Sequence, residues 1–154
     1  TSENRAYIPM GFFDKNYIAN NSCHIIPNGD LFLFGQLTSL MHMSWVKYTC
    51  GRLESRFRYS KDIVYNNYPF PKNVTEKHKE LVEKKSQNVL DIRASFSDCS
   101  LADLYDPLSM PPNLKKAHQE LDKAVDNCYG TKSFKNDKER IEFLFALYED
   151  YLGE

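Results

Sequence analysis

The chain has 154 residues, of which 42% are hydrophobic and 27% are charged, and its formal net charge is −1. This composition is typical of a folded protein with one ordinary domain or two small lobes. No apolar run is long enough to span a bilayer and no secretory segment is visible, so we expect a cytoplasmic protein without a membrane partner. The chain begins with Thr1 rather than methionine, which suggests that it was cut from a longer polypeptide.

Charge is distributed unevenly between the two halves of the chain. Residues 1–73 contain eight Lys or Arg and five acidic residues, whereas the remainder contains 12 basic and 16 acidic residues. Any nucleic-acid contact is therefore expected in the first half, although this small positive surplus argues against strong non-specific DNA binding. The cysteines lack the close spacing of zinc or redox motifs, so we expect reduced thiols and no metal site. They are Cys23, Cys50, Cys99 and Cys128.

The first 30 residues alternate enough in polarity to predict two short strands. One runs from Arg5 to Phe13, where Pro9 indicates an edge strand or a bulge. The other runs from Ser22 to Ile26 and is followed by the turn residues Pro27-Asn28-Gly29-Asp30.

Apolar residues then recur at three- and four-residue steps, which predicts one amphipathic helix from Leu33 to Cys50. Its apolar stripe consists of Leu33, Leu37, Leu40, Met41, Trp45 and Tyr48. Gly51 is expected to follow the helix in a left-handed conformation. Gly35 inside the helix costs about 1 kcal/mol relative to alanine, so it indicates a bent start or a close contact.

Charged and aromatic residues interleave from Arg52 to Tyr59, and this stretch is predicted to be one strand. Because side chains alternate between the faces of a strand, one face would carry Arg52, Glu54, Arg56 and Arg58. The other face would largely carry Leu53, Phe57 and Tyr59. Arginine can pair with guanine through two hydrogen bonds, and glutamate can accept one from the cytosine amino group. The alternative is a solvent-facing strand with ion pairs across a sheet.

The segment Tyr68-Pro69-Phe70-Pro71-Lys72 marks a boundary, beyond which the pattern is helical. We predict a helix capped by Asn73 that runs to about Phe96, with Leu81, Val82, Val89, Ile92 and Phe96 facing inward. Ser100, followed three residues later by Asp103, is predicted to begin a short helix that stops at Asp106-Pro107. The next helix runs from Pro112 to Cys128, with Leu114, Ala117, Leu121, Ala124, Val125 and Cys128 in its stripe. A last helix capped by Asn136 and Glu139 carries Ile141, Leu144, Phe145, Tyr148 and Leu152.

The fold class expected from these elements is α+β. A small mixed α/β lobe, residues 1–71, precedes an all-α helical lobe, residues 72–154.

Several segments of the chain resemble, in order, the MmeI-like family of bacterial restriction–modification enzymes and their methyltransferase-only relatives. In the first half these are residues 7–13, 41–46, 50–53, 58–60 and 64–71, and in the second half residues 100–107, 110–111 and 117–122. The resemblance implies that residues 1–71 are the C-terminal part of a DNA target recognition domain. Residues 72–154 would be a helical C-terminal domain that braces it against DNA or against the catalytic half of the same polypeptide.

The function that the resemblance implies is sequence-specific recognition of double-stranded DNA. The parent protein would be an adenine-N6 DNA methyltransferase that uses S-adenosylmethionine, with or without a fused endonuclease. Base-specifying positions of this family fall in the segment of Glu54, Arg56 and Arg58. The expected contacts to the DNA backbone are Arg52, Lys47 and Lys61. The alternative is a protein-interaction or scaffold module of a defence complex that does not read bases.

The chain lacks the residues that a methyltransferase or a nuclease needs for catalysis. It has no Asn/Asp-Pro-Pro-aromatic loop to hold a flipped base and no glycine-rich turn for a cofactor. In Asn67-Tyr68-Pro69-Phe70 a tyrosine replaces the first proline, so we interpret this segment as an aromatic–proline clasp between the lobes. His118 is interpreted as a structural hydrogen-bonding residue. We therefore assign no catalytic, cofactor-binding or metal-binding residue to the chain.

Overall fold

The computed structural model describes residues 4–21, 23–54, 56–130 and 134–153. Its helices are α1 (Leu31–Leu37), α2 (Leu40–Thr49), α3 (Glu76–Ala94), α4 (Leu101–Leu104), α5 (Pro112–Cys128) and α6 (Asp137–Leu152). The strands β1 (Gly51–Leu53) and β2 (Arg56–Arg58) form an antiparallel hairpin, which a π-helical turn at Lys61–Tyr65 follows. The α+β class is confirmed. Within the described ranges, no helix combines the length and apolar character that a membrane span requires.

The two strands predicted before residue 27 are not formed. Residues 5–13 and the described residues 23–26 are irregular, and Ser22 lies outside the described part of the chain. A strand needs a neighbour for its backbone polar groups, and here a helix supplies a partner instead, since Arg93 Nη1 of α3 donates to the Met10 carbonyl oxygen (2.7 Å). The segment also inserts Tyr7, which is 4% exposed, into the helical core. The predicted turn at Pro27 and Asn28 is confirmed.

The single helix predicted from Leu33 to Cys50 is wrong, because the chain breaks at Thr38 and Ser39 into α1 and α2. The Ser39 side chain accepts a hydrogen bond from the His42 N–H and so caps α2. Gly51 does not adopt the left-handed conformation expected of it but begins β1. Tyr48, predicted to face inward, is 59% exposed.

The helical elements of the second half follow the predicted periodicity closely. The bounds of α5 match the prediction, and its whole predicted stripe is buried. Ser100 and Asp103 form the capping box of α4, and Asn136 caps α6 through the Glu139 N–H. The cap of α3 was predicted wrongly, since Thr75 rather than Asn73 accepts the hydrogen bond from the His78 N–H. On α6, Leu152 and Phe145 are more exposed than predicted, at 71% and 42%.

One hydrophobic core spans the two predicted lobes. Helix α3 packs against α1 and α5, and α6 packs against α2. Fully buried side chains come from both halves of the chain; among them are Leu37, Met41, Trp45, Leu114, Leu121 and Leu144. The boundary at residues 71 and 72 therefore separates segments of sequence that fold against each other.

The clasp predicted at residues 67–70 is confirmed. Tyr68 is 4% exposed, and its hydroxyl accepts a hydrogen bond from the Tyr129 hydroxyl (2.8 Å) at the end of α5. Its ring packs edge-on against His42 of α2, with ring centroids 4.5 Å apart. The Tyr151 hydroxyl of α6 donates to the Phe70 carbonyl oxygen (2.7 Å). The segment thus joins α2, α5 and α6.

Candidate nucleic-acid interface

The charged and aromatic stretch forms a hairpin rather than the single strand expected from its alternation. Gly51 pairs with Arg58, Arg52 with Phe57, and Leu53 with Arg56. Side chains of directly paired residues in an antiparallel sheet lie on the same face. The register therefore decides which residues share a face.

The hairpin has an inward face and an outward face, and their composition corrects the prediction. Phe57 is 4% exposed, and the guanidinium carbon of Arg52 lies 4.8 Å from the centroid of its ring. Arg52 and Phe57 thus form the inward face. Arg56 and Arg58 are exposed on the outward face, as predicted, but they share it with Leu53 instead of Arg52.

Glu54 lies in the turn after β1, not on a strand. Its φ of 56° is in the left-handed region, which is unfavourable for residues other than Gly, Asn and Asp. This position lets its Oε2 accept a hydrogen bond from Arg56 Nη2 (3.0 Å). The side chains of Glu54 and Arg56 are 76% and 63% exposed, respectively. An ion pair this exposed to solvent contributes at most about 1 kcal/mol to stability. Both groups can therefore exchange this contact for contacts with a ligand.

Buried aromatic residues hold the hairpin on the helices. Phe57 anchors β2 in the core. Two residues further along the chain, the Tyr59 hydroxyl lies 2.9 Å from Nε2 of His42 in α2. Complete burial lowers the pKa of His42 to about 3, so its ring is neutral at physiological pH. The outward face thus has a rigid support.

The residues expected to contact the DNA backbone do not form one cluster. Lys47 is ion-paired with Asp137 at the start of α6. Lys47, Arg52 and Asp137 line an open groove next to Tyr48, on the side of the hairpin opposite to Arg58. Lys61 is exposed at the first position of the π-helical turn.

His118 and Arg140 are buried polar residues whose side chains make structural contacts. His118 is fully buried, its Nε2 lies 2.8 Å from the Tyr105 hydroxyl, and burial lowers its pKa to about 3, which agrees with a structural role. Arg140 pairs with Asp126 through two hydrogen bonds. Among the described residues, no group of three or more His, Cys, Asp or Glu is placed to hold a metal ion.

Sequence reasoning missed two residues that the structure brings to prominence. Leu53 was assigned to the core face, and only the register of the hairpin places it outward. Asp122 accepts hydrogen bonds from the Tyr7 hydroxyl and the Leu40 N–H. Its place beside Leu121 on the buried side of α5 was a usable signal, because a buried carboxylate requires partners.

Comparison with known proteins gives consistent matches over the whole chain. A family model described as MmeI, target recognition domain, matches residues 1–72, and one described as MmeI, C-terminal domain, matches residues 74–154. DNA methyltransferase A of Bacillus subtilis (strain 168) is 41% identical over 150 residues, which cover 97% of this chain and 17% of that protein.

A solved structure of the Type IIL restriction-modification enzyme MmeI in complex with DNA superposes on the chain with a TM-score of 0.95 and 44% sequence identity. The match covers 100% of this chain and 20% of the solved one. The chain therefore spans only a fifth or less of the length of these two relatives.

Proposed function

The chain belongs to the MmeI family, and from this premise we propose that residues 1–72 recognise base sequence in duplex DNA as part of a DNA methyltransferase. The outward face of the hairpin carries the proposal, because Arg56 and Arg58 are exposed there on a supported two-stranded ribbon. A ribbon of this kind fits the major groove of B-DNA, where each base pair presents a distinct pattern of donors and acceptors. The matched relative was solved in complex with DNA, which supports DNA binding by this chain.

The Glu54–Arg56 pair suits recognition of one G·C base pair. Arg56 would donate to O6 and N7 of guanine, and Glu54 would accept from the N4 amino group of cytosine. The two side chains already lie 3.0 Å apart, which allows them to contact the two partners of one pair or of adjacent pairs. Arg58, on the same face, would contact a neighbouring guanine. Each bidentate contact is worth about 1–3 kcal/mol of discrimination.

The cationic residues outside this face would contact the DNA backbone. Lys61 is the simplest candidate, since it is exposed and the described residues offer it no ion-pair partner. Arg52 would reach a phosphate from its position over Phe57. Lys47 would first have to leave Asp137, so its contribution is expected to be smaller.

The methyl transfer would be performed by other parts of a longer, cytoplasmic polypeptide. We propose that its substrate is the N6 amino group of adenine and that S-adenosylmethionine is the methyl donor. The chain itself has neither the loop that holds a flipped adenine nor a glycine-rich turn for the cofactor. Residues 74–154 would brace the recognition hairpin against the catalytic half, because α2, which supports the hairpin, packs on α6.

The proposal is tested by exchanging the reading pair in the full-length enzyme. The double variant Glu54→Lys with Arg56→Asp inverts the donor and acceptor pattern without erasing it. Methylation mapping by sequencing should show a different base accepted at one position, with a preference changed about tenfold or more. Methylation itself should persist.

The matched control exchanges an exposed ion pair outside the hairpin, Lys138→Glu with Glu142→Lys on α6. It should leave the recognised site unchanged. Lys61→Ala should weaken methylation of all sites alike, because a phosphate contact carries no base information. The deficit should be largest at low salt and shrink at high salt, because the variant releases fewer counterions on binding DNA. An unchanged site after the Glu54 and Arg56 exchange would refute the reading role of the hairpin and favour a scaffold function.

A further inference from the structure

We propose that Leu53 is a further specificity-determining residue, which recognises the 5-methyl group of a thymine adjacent to the base pair contacted by Arg56. This inference rests on the proposed function and adds an apolar contact to the polar reading by Glu54 and the arginines.

The register of the hairpin places Leu53 beside Arg56. The two residues are direct cross-strand partners, so their side chains project from the same face. Their Cβ atoms in such a pair are separated by about 4.5–5.5 Å. Successive bases of a strand are about 3.4 Å apart along the helix axis. The Cβ separation between Leu53 and Arg56 is similar to this spacing, so Leu53 meets the base pair next to the one that Arg56 contacts.

Leu53 does not serve the core of the protein. Its side of the hairpin is opposite to Phe57, which occupies the buried position, and Leu53 is 58% exposed. The face around it is open: a Cβ atom added to Gly51, which pairs with Arg58, would meet no atom within 4 Å. Leu53 is therefore an exposed apolar side chain between the groups that would read DNA.

The chemistry of the major groove identifies the ligand group that suits a leucine. Leucine has no hydrogen-bonding atom, and the methyl group of thymine is the apolar group that base pairs present in this groove. Burying one methyl-sized group contributes enough for a preference of about fourfold. A polar base edge against Leu53 would instead lose hydrogen bonds to water.

Uracil tests the proposal, because it differs from thymine only in lacking the methyl group. The position read by Arg56 is first located from the exchange of Glu54 and Arg56 in the full-length enzyme. The adjacent thymine is then replaced by uracil in a synthetic duplex, and kcat/KM for methylation is measured. The wild-type enzyme should prefer the thymine duplex about fourfold, and Leu53→Ala should methylate both duplexes equally well.

Two controls separate this contact from general effects. Ile63→Ala removes a side chain of the same exposure, 58%, from the π-helical turn, and it should retain the preference for thymine. Replacement of a more distant thymine of the site by uracil should not change the ratio of kcat/KM between the wild-type enzyme and Leu53→Ala. Thermal melting should show both variants folded, since neither side chain is buried.

The outcomes distinguish failure of this inference from failure of the proposed function. If the exchange of Glu54 and Arg56 changes the site but no thymine lies next to the changed position, the role of Leu53 is refuted and the hairpin still reads DNA. Equal rates on thymine and uracil for the wild-type enzyme refute it in the same way. If the exchange leaves the site unchanged, both proposals fall together.

Discussion

Asp122 connects three parts of the chain through one buried carboxyl group. Its Oδ2 accepts a hydrogen bond from the Tyr7 hydroxyl and its Oδ1 accepts one from the Leu40 N–H, both at 2.8 Å. Burial raises its pKa to about 7, because desolvation outweighs these hydrogen bonds; Asp126 raises the pKa and Arg140 lowers it. A single residue of α5 thus holds the first segment of the chain and the start of α2.

The pH dependence of stability follows from this raised pKa. In the unfolded chain Asp122 loses its proton near pH 4, whereas in the folded protein it does so only near pH 7. Ionisation therefore opposes folding, and the contribution of Asp122 to the free energy of unfolding falls between about pH 4 and about pH 7, by at most about 1.4 kcal/mol per unit. Asp122→Asn removes this titration, so its stability should decline less with pH than that of the wild type.

Urea denaturation at several pH values in this range measures the effect. The difference in unfolding free energy between the variant and the wild type should shift in favour of the variant as the pH rises. Asp150→Asn, at an exposed position of α6, is the control and should run parallel to the wild type. Parallel curves for Asp122→Asn as well would show that Asp122 is ionised throughout.

At the scale of elements, the approach of α1 to α3 depends on the missing side chain of Gly35. A Cβ atom at this position would lie 2.5 Å from Ser86 Oγ and 2.6 Å from a methyl group of Val82, both on α3. It would also lie 3.3 Å from Leu121 of α5. Gly35 therefore marks the close contact that its unfavourable helix propensity indicated, rather than a bend.

The variant Gly35→Ala should be less stable than the wild type. The gain of about 1 kcal/mol in helix propensity is opposed by overpacking, which costs about 1–3 kcal/mol and requires α1 to move away from α3. Chemical denaturation should thus show a net decrease in the free energy of unfolding. Adding Ser86→Ala should recover part of it, because one of the two closest atoms is removed. Gly51→Ala, where the new Cβ meets nothing within 4 Å, should change stability by less than about 0.5 kcal/mol.

At the scale of the whole molecule, the two halves of the sequence share one interior. Helices α1 and α2 contribute Leu37, Met41 and Trp45, which are at most 2% exposed. They pack on α3 and α6, so the helical half does not enclose its own core. Separation of the halves would expose this apolar surface to water on both sides.

We expect residues 74–154 alone to lose cooperative folding. Circular dichroism should still show helix, because the periodic helices retain local propensity, but the thermal transition should be broad and near-ultraviolet signals weak. Residues 1–154 should melt in a single sharp transition. Addition of residues 1–73 to the isolated helical half should restore the sharp thermal transition. A sharp transition of the helical half alone, near that of the whole chain, would contradict a shared core.

The sequence by itself determined the elements whose information is local. The stripe containing Leu114, Leu121 and Val125 repeats with the period of a helix over 17 residues, and α5 has the predicted bounds. The caps at Ser100 and Asn136 were readable because a capping side chain bonds to a backbone group three residues away. The ordered short segments were also sufficient to indicate the family and, with it, the segment that contains Arg56 and Arg58.

Only the tertiary structure decided the hairpin, the break between α1 and α2, and the course of the first segment. Alternation cannot distinguish one strand from two, and the burial of Phe57 set the register that turned Leu53 outward. The start of α2 is held by Asp122, which lies 82 residues further along the chain. The hydrophobic periodicity of a segment indicates which of its own side chains are buried. Strand pairing and the close approach of two helices depend instead on partners that are distant in the sequence.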